Sequence, residues 1–93
     1  MIEIVKVLRA EAIANFRLKL SFSNGWAGER DLSDLVRREG AMVAPLAEPA
    51  FFARVFVQNG VPTWPNGFDL DAIALFREMQ EAGTLRPVER VAG

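Results

Sequence analysis

The side chains able to do chemistry are few, and what is missing narrows the choice. The chain has no Cys, His or Tyr, and Lys6 and Lys19 are its only lysines. Without thiols or imidazoles there is no thiolate nucleophile, disulfide, zinc finger, imidazole base or Ser-His-Asp triad. General acid–base work would fall to carboxylates, and paired acids can do it, as in glycoside hydrolysis. Of the 12 Asp and Glu residues, the candidates are Glu29, Asp31, Asp34, Asp69 and Asp71. Several stand where a helix needs a cap, hydroxyls are sparse (Ser21, Ser23, Ser33, Thr63, Thr84), and no Gly-rich phosphate loop is present. The residues therefore suggest a non-catalytic protein with no cofactor and no metal.

The densest run of special residues is Trp64-Pro65-Asn66-Gly67-Phe68-Asp69-Leu70-Asp71. Structurally it reads as a turn between a strand and a helix. Pro65 fixes φ, Asn66-Gly67 supplies positive φ, an Asp caps the helix, and Trp64 and Phe68 anchor the turn. A functional reading would gather Asn66, Asp69 and Asp71 around a hard cation, or set an anion at the helix start. Two carboxylates repel an anion, and a Mg²⁺ or Ca²⁺ site would want more oxygen ligands than the segment offers. Trp64, Asn66 and Asp69 are kept as candidate interaction residues.

Two basic features complete the candidates. Phe52, Arg54 and Phe56 alternate with Ala53, Val55 and Val57. On an open sheet, aromatics interleaved with Arg can stack nucleic-acid bases; on a central strand covered on both sides, Arg54 would reach the edge over its packed stem. Arg37-Arg38, with Arg30 nearby, is the one local concentration of positive charge. At a helix C-terminus cations complement the dipole, and a phosphate or acidic partner is the functional alternative.

These residues must be positioned by the rest of the chain. Residues 2–9 read as a strand on β-branched content, and 15–22 as a half-buried strand, with Phe16, Leu18, Leu20 and Phe22 on one face. Ser23-Asn24-Gly25 signals a tight turn into a third strand, about 26–31. Residues 31–40 suit a short helix capped by Asp31 or Ser33 and ended by Gly40. After a Pro-broken connection come a strand at 51–58, an Asn59-Gly60 turn and a short strand near 61–64. A helix from about 70 to 82 follows, with Ala72, Leu75, Phe76 and Met79 on one face and Gly83 as its stop. The expected core is Phe16, Leu18, Leu20, Phe22, Leu35, Val55, Val57, Trp64, Leu75 and Phe76.

At 93 residues, 51% apolar and 25% charged, the chain has the composition of one small globular domain. Its net charge of −1 advertises neither a polyanionic nor a polycationic partner. The opening residues lack the basic patch and apolar stretch of a secretory signal, and the apolar region 41–53 is interrupted by Pro45, Glu48 and Pro49. A cytoplasmic bacterial protein is expected.

One resemblance joins the segments. Phe22-Ser23-Asn24-Gly25, then Asp31-Leu32-Ser33-Asp34-Leu35, then Phe52 and Val55, and above all Trp64-Pro65-Asn66-Gly67-Phe68-Asp69-Leu70, resemble the domain-of-unknown-function 2442 family of small bacterial proteins. The resemblance covers roughly residues 2–76. It implies a small α+β fold without established activity, sometimes encoded beside a second small protein in what look like toxin–antitoxin pairs. Some members continue into a helix-turn-helix; here only 93 − 76 = 17 residues follow Phe76.

The expected architecture is α+β: an antiparallel twisted sheet of about five strands with two helices packed on one face. A single domain spans 1–83, and 84–93 form a mobile C-terminal tail. The expected function is a non-catalytic protein-binding module, antitoxin-like, whose partner is another small protein or a second copy of itself, with no membrane involved. The alternative is a nucleic-acid-associated regulatory domain using Arg17, Lys19, Arg37, Arg38 and Arg54.

Overall fold

Leu18, Leu20 and Phe22 alternate with Arg17, Lys19 and Ser21, and this alternation builds the strand around which the domain is laid. In the computed structural model, which describes residues 5–88, that strand is β2 (Arg17–Phe22), and its three apolar side chains are fully buried. Strand β1 (Val7–Ile13) pairs antiparallel on one side of it and β3 (Trp26–Asp31) on the other. The turn into β3 is the expected one: Gly25 has φ 88°, and Asn24 Oδ1 accepts from the Trp26 backbone N–H at 3.3 Å.

The first strand starts later than its β-branched content suggests, and residues 2–4 of that expected strand lie outside the described part. Val7 opposes Phe22 and Arg9 opposes Ser21, so Leu8 is the extra residue of a β-bulge. The bulge resets the alternation, and Ala10 and Ala12 then face the core beside Val7 opposite Leu20 and Leu18. Phe16 is not in β2. With Asn15 (φ 64°) it forms the hairpin turn at φ 58°, a costly conformation for a bulky residue. Its ring packs edge-on against Phe52, centroids 5.3 Å apart, which holds it there.

The expected five-stranded sheet is divided. Four strands form one antiparallel sheet in the order β1-β2-β3-β6, where β6 is Leu85–Pro87, and two form a separate hairpin. The strand expected at 51–58 is formed only at its end, because Phe51 and Phe52 belong to a helical turn and Ala53-Arg54 to the turn after it. After the short helix α1 (Ser33–Val36), Pro45 and Pro49 each open a single turn, a 3-10 turn at Ala44–Ala47 and α2 at Pro49–Phe52. Proline suits these first positions, where its missing N–H is not needed. Only Phe56–Gln58 is extended (β4); it pairs with β5 (Val61–Thr63) through Asn59-Gly60, both at positive φ. The hairpin abuts β1, where the Val7 N–H donates to the Gly60 carbonyl at 2.8 Å.

Helix α3 (Ala72–Ala82) matches its sequence signals closely. Asp71 Oδ2 accepts from the Ala74 N–H at 2.8 Å. Gly83 at φ 72° ends the helix, with the Gly83 and Thr84 N–H groups returning to the Gln80 and Met79 carbonyls. Ala72, Leu75 and Met79 are buried in the core, and Phe76 meets Phe22 edge-on at 5.3 Å. The segment expected as the C-terminal tail, 84–93, includes a further strand. Leu85–Pro87 form β6, paired with β3 from Trp26 to Gly28; residues 89–93 lie outside the described part. Pro87 brings no N–H to this outer strand, which blunts it as a template for further pairing.

Candidate functional site

The Trp64–Asp71 segment is a hairpin loop followed by a cap. The Gly67 N–H bonds the Trp64 carbonyl at 2.9 Å, the Trp64 N–H bonds the Phe68 carbonyl at 2.9 Å, and Gly67 has φ 91°. That is a turn closed by a glycine bulge, and it requires the residue order Pro-Asn-Gly. The Asn66 amide serves both sides: its Nδ2 donates to the Met42 carbonyl at 2.9 Å, and its Oδ1 accepts from the Phe68 N–H at 3.2 Å. Trp64 is 1% exposed; its Nε1 donates to the Phe52 carbonyl at 3.0 Å and its ring packs between Phe52 and Phe68. The indole of Trp64 therefore belongs to the core and offers nothing to a partner. Asp69 is exposed and its backbone bridges Thr63, while the Asp71 carboxylate is engaged as the α3 cap. No cluster of three or more His, Cys, Asp or Glu that could hold a metal exists among the described residues.

The basic candidates are spread over separate elements. Arg37 and Arg38 are exposed just beyond α1, and Arg54 is exposed just beyond α2. Phe52 is buried in α2 and Phe56 lies on β4, so Phe52, Arg54 and Phe56 do not share a strand and form no stacking platform. Arg17 and Lys19 do share a surface, the outer face of the four-stranded sheet. Arg17 pairs there with Glu29 at 3.0 Å, both side chains about 40% exposed, so the pair adds little stability.

Strand register resolves that outer face into rows. One row crosses all four strands as Arg9, Ser21, Ala27 and Arg86; the next holds Glu11, Lys19 and Glu29; a third holds Ile13, Arg17 and Asp31. An open cleft of about 370 Å³ lies over the first two rows, lined by Arg9, Glu11, Lys19, Ser21 and Ala27. Leu8, at 60% exposure, shares the bulge with Arg9, and Val88, at 45%, follows Arg86 and Pro87. Arg9, Arg86, Leu8 and Val88 were not among the sequence candidates. The polar positions of β2 marked the face, but only the register shows which residues of β1, β3 and β6 join it.

At the far end of this face, Asp31 Oδ1 accepts from the Ser33 hydroxyl at 2.6 Å and from the Ser33 N–H at 2.9 Å. The hydroxyl bond first and the backbone bond next hold the Asp31 carboxyl below its ordinary value, with Arg17 and Arg30 adding to the effect. On the opposite side of the sheet, Trp26 is 39% exposed at the margin of α3, beside Phe76, Gln80, Gly83 and Leu85.

No helix among the described residues is long and apolar enough to cross a membrane. Among curated proteins none matches the chain. Among solved structures, the fold is similar to the crystal structure of "Putative DNA Binding Protein NE0471" from Nitrosomonas europaea ATCC 19718, with a TM-score of 0.68 and 28% identity. That match covers 89% of this chain and 56% of the other, so the chain spans little more than half of that protein. The β1–β3 meander, the Pro-Asn-Gly loop and all but the last residue of α3 lie within residues 7–81, the span matched by the family described as Protein of unknown function (DUF2442), and the chain belongs to that family.

Proposed function

We propose that the domain is a non-catalytic module that binds another protein in the cytoplasm, with a small neighbouring protein as its partner in an antitoxin-like arrangement. The observation that supports it is the sheet with one open face. The apolar side chains of β2 are buried beneath α3 and the loops, while Arg9, Glu11, Lys19 and Arg86 remain exposed on the other side. A surface of this kind, with exposed Leu8 and Val88 at its borders, suits recognition of a second chain. The non-catalytic part of the reading is favoured by the acids: Asp71 caps α3, Asp31 accepts from the Ser33 hydroxyl and N–H, and Glu29 pairs with Arg17.

A nucleic-acid role is the second reading, favoured by the name of the Nitrosomonas protein. That protein is much longer than the matched part, and the present chain carries a net charge of −1 with no aromatic side chain in the three outer rows.

The test is an affinity pull-down of the tagged protein from its own host's lysate, with and without nuclease, followed by reconstitution of any retained species from purified components. A stoichiometric small protein that survives nuclease and re-forms the complex is the expected result. Recovery of the protein alone overturns the module, and retention of nucleic acid alone, lost steeply with added salt, promotes the second reading.

A further inference from the structure

The outer face is not evenly charged. Among the described residues, Arg17 is paired with Glu29, and Arg30 with Glu78 on α3. Arg9, Lys19 and Arg86 enter no ion pair there, and Glu11 is the one carboxylate in their two rows likewise without a partner. Three cations against one carboxylate leave this end of the face positive although the whole chain is slightly negative. The floor between the arginines is Ser21 and Ala27, which are short and leave an open cleft. Exposed Leu8 adjoins Arg9 at one end of the row, and exposed Val88 follows Arg86 and Pro87 at the other. The row spans three strand spacings, so the Arg9 and Arg86 backbones are about 14 Å apart.

We propose that this trough binds a short acidic segment of a partner protein that also carries apolar side chains. The proposal rests on the protein-binding reading above and names the partner's chemistry. Carboxylates of the segment meet Arg9, Lys19 and Arg86, and its apolar side chains cover Leu8 and Val88. In an extended segment, residues four positions apart are separated by about 13 Å, which matches the arginine spacing. Single-stranded nucleic acid would satisfy the cations but finds no ring to stack on, since Ser21 and Ala27 form the floor. The acidic, partly apolar peptide is therefore the better fit.

The test uses isotope-labelled full-length protein and amide chemical-shift mapping. The probe is a synthetic peptide in which Glu and Leu alternate with Ser, with two controls: Glu replaced by Gln, and Leu replaced by Ser. Shifts are expected along Leu8–Glu11, Lys19–Ser21, Ala27 and Arg86–Val88, weaker for both controls. The double variant Arg9→Glu and Arg86→Glu, with an unchanged circular dichroism spectrum, should weaken binding roughly tenfold or more, because like charges then face each other. Absence of binding, equal binding by the Gln control, or shifts confined to the Trp26 margin would each overturn the proposal. Tighter binding of a single-stranded DNA oligonucleotide to the same amides overturns it in favour of a nucleic-acid face. If the double variant still retains the host partner found by pull-down, the module stands and this trough is excluded; if wild type retains none, the module itself fails.

Discussion

Gly28 on β3 lies directly under the backbone carbonyl of Thr84, so that a Cβ at Gly28 would overlap that oxygen and come within 3.0 Å of Met79 Cε. The end of α3 and the start of β6 can approach the sheet only because position 28 has no side chain. Sheet, helix and last strand are thus locked at one point.

Gly28→Ala is expected to destabilise the domain by about 1–3 kcal/mol, the usual range for forcing extra volume into a packed site. The obstructing atom is backbone, which cannot rotate away. Urea unfolding measures the loss, and amide exchange should show β6 opening before β2. An unchanged midpoint would mean that α3 shifts freely over the sheet.

The Trp64 indole and the Asn66 amide each tie the loop to a distant carbonyl, Phe52 and Met42 respectively. Trp64→Phe removes the donor to a buried carbonyl and leaves a void, so a loss of about 2–4 kcal/mol is expected. Asn66→Ala forfeits two hydrogen bonds at a half-buried position, for about 1–2 kcal/mol. Thermal unfolding separates these from a binding role. Equal stability with lost partner binding would return both residues to the list of contact residues.

How far the fold could be read from sequence depends on how local its causes are. Strand β2 shows in its own alternation, β3 in the Asn24-Gly25 turn that starts it, and α3 in Asp71, its apolar stripe and Gly83. The segment from Phe51 to Val55 misleads, because Phe51, Phe52 and Val55 have strand-forming side chains. There the contacts decide: Phe52 is drawn under Trp64 and Phe16, and Pro49 opens a helical turn that delivers it. Strand β6 is three residues long and contains a proline, so no local pattern announces it. The trough fails to show for the same reason, since Arg9 and Arg86 come from opposite ends of the chain and meet only through strand register.

Asp69 and Asp71 are two residues apart and should behave differently. Asp71 accepts from the Ala74 N–H, so Asp71→Ala should lower stability by about 0.5–2 kcal/mol, as removal of a helix cap does. Asp69 uses its backbone to bridge Thr63 and leaves its side chain exposed, so Asp69→Ala should stay within about 0.5 kcal/mol of wild type. Parallel melts of the two variants check this. A large loss at position 69 would show that its carboxylate has a partner of its own.

Asp31 gives the domain a pH-dependent element. Its carboxyl sits below the ordinary value because the Ser33 hydroxyl and N–H bond the charged form. A group whose pKa is depressed by folding stabilises the native state above its unfolded value, and that contribution fades as pH falls through the folded value. Wild type should therefore be more stable than Asp31→Ala at neutral pH. The difference should begin to shrink near the ordinary carboxylate value of about 4 and vanish at lower pH, when Asp31 is protonated. Ser33→Ala removes the first cause of the shift and should move the Asp31 titration upward, toward its ordinary value. Carboxyl-carbon NMR titration of wild type and Ser33→Ala reads that directly. Identical Asp31 curves in the two proteins would mean that the hydroxyl contact does not persist in solution, and that the backbone N–H of residue 33, with Arg17 and Arg30 adding to it, sets the shift instead.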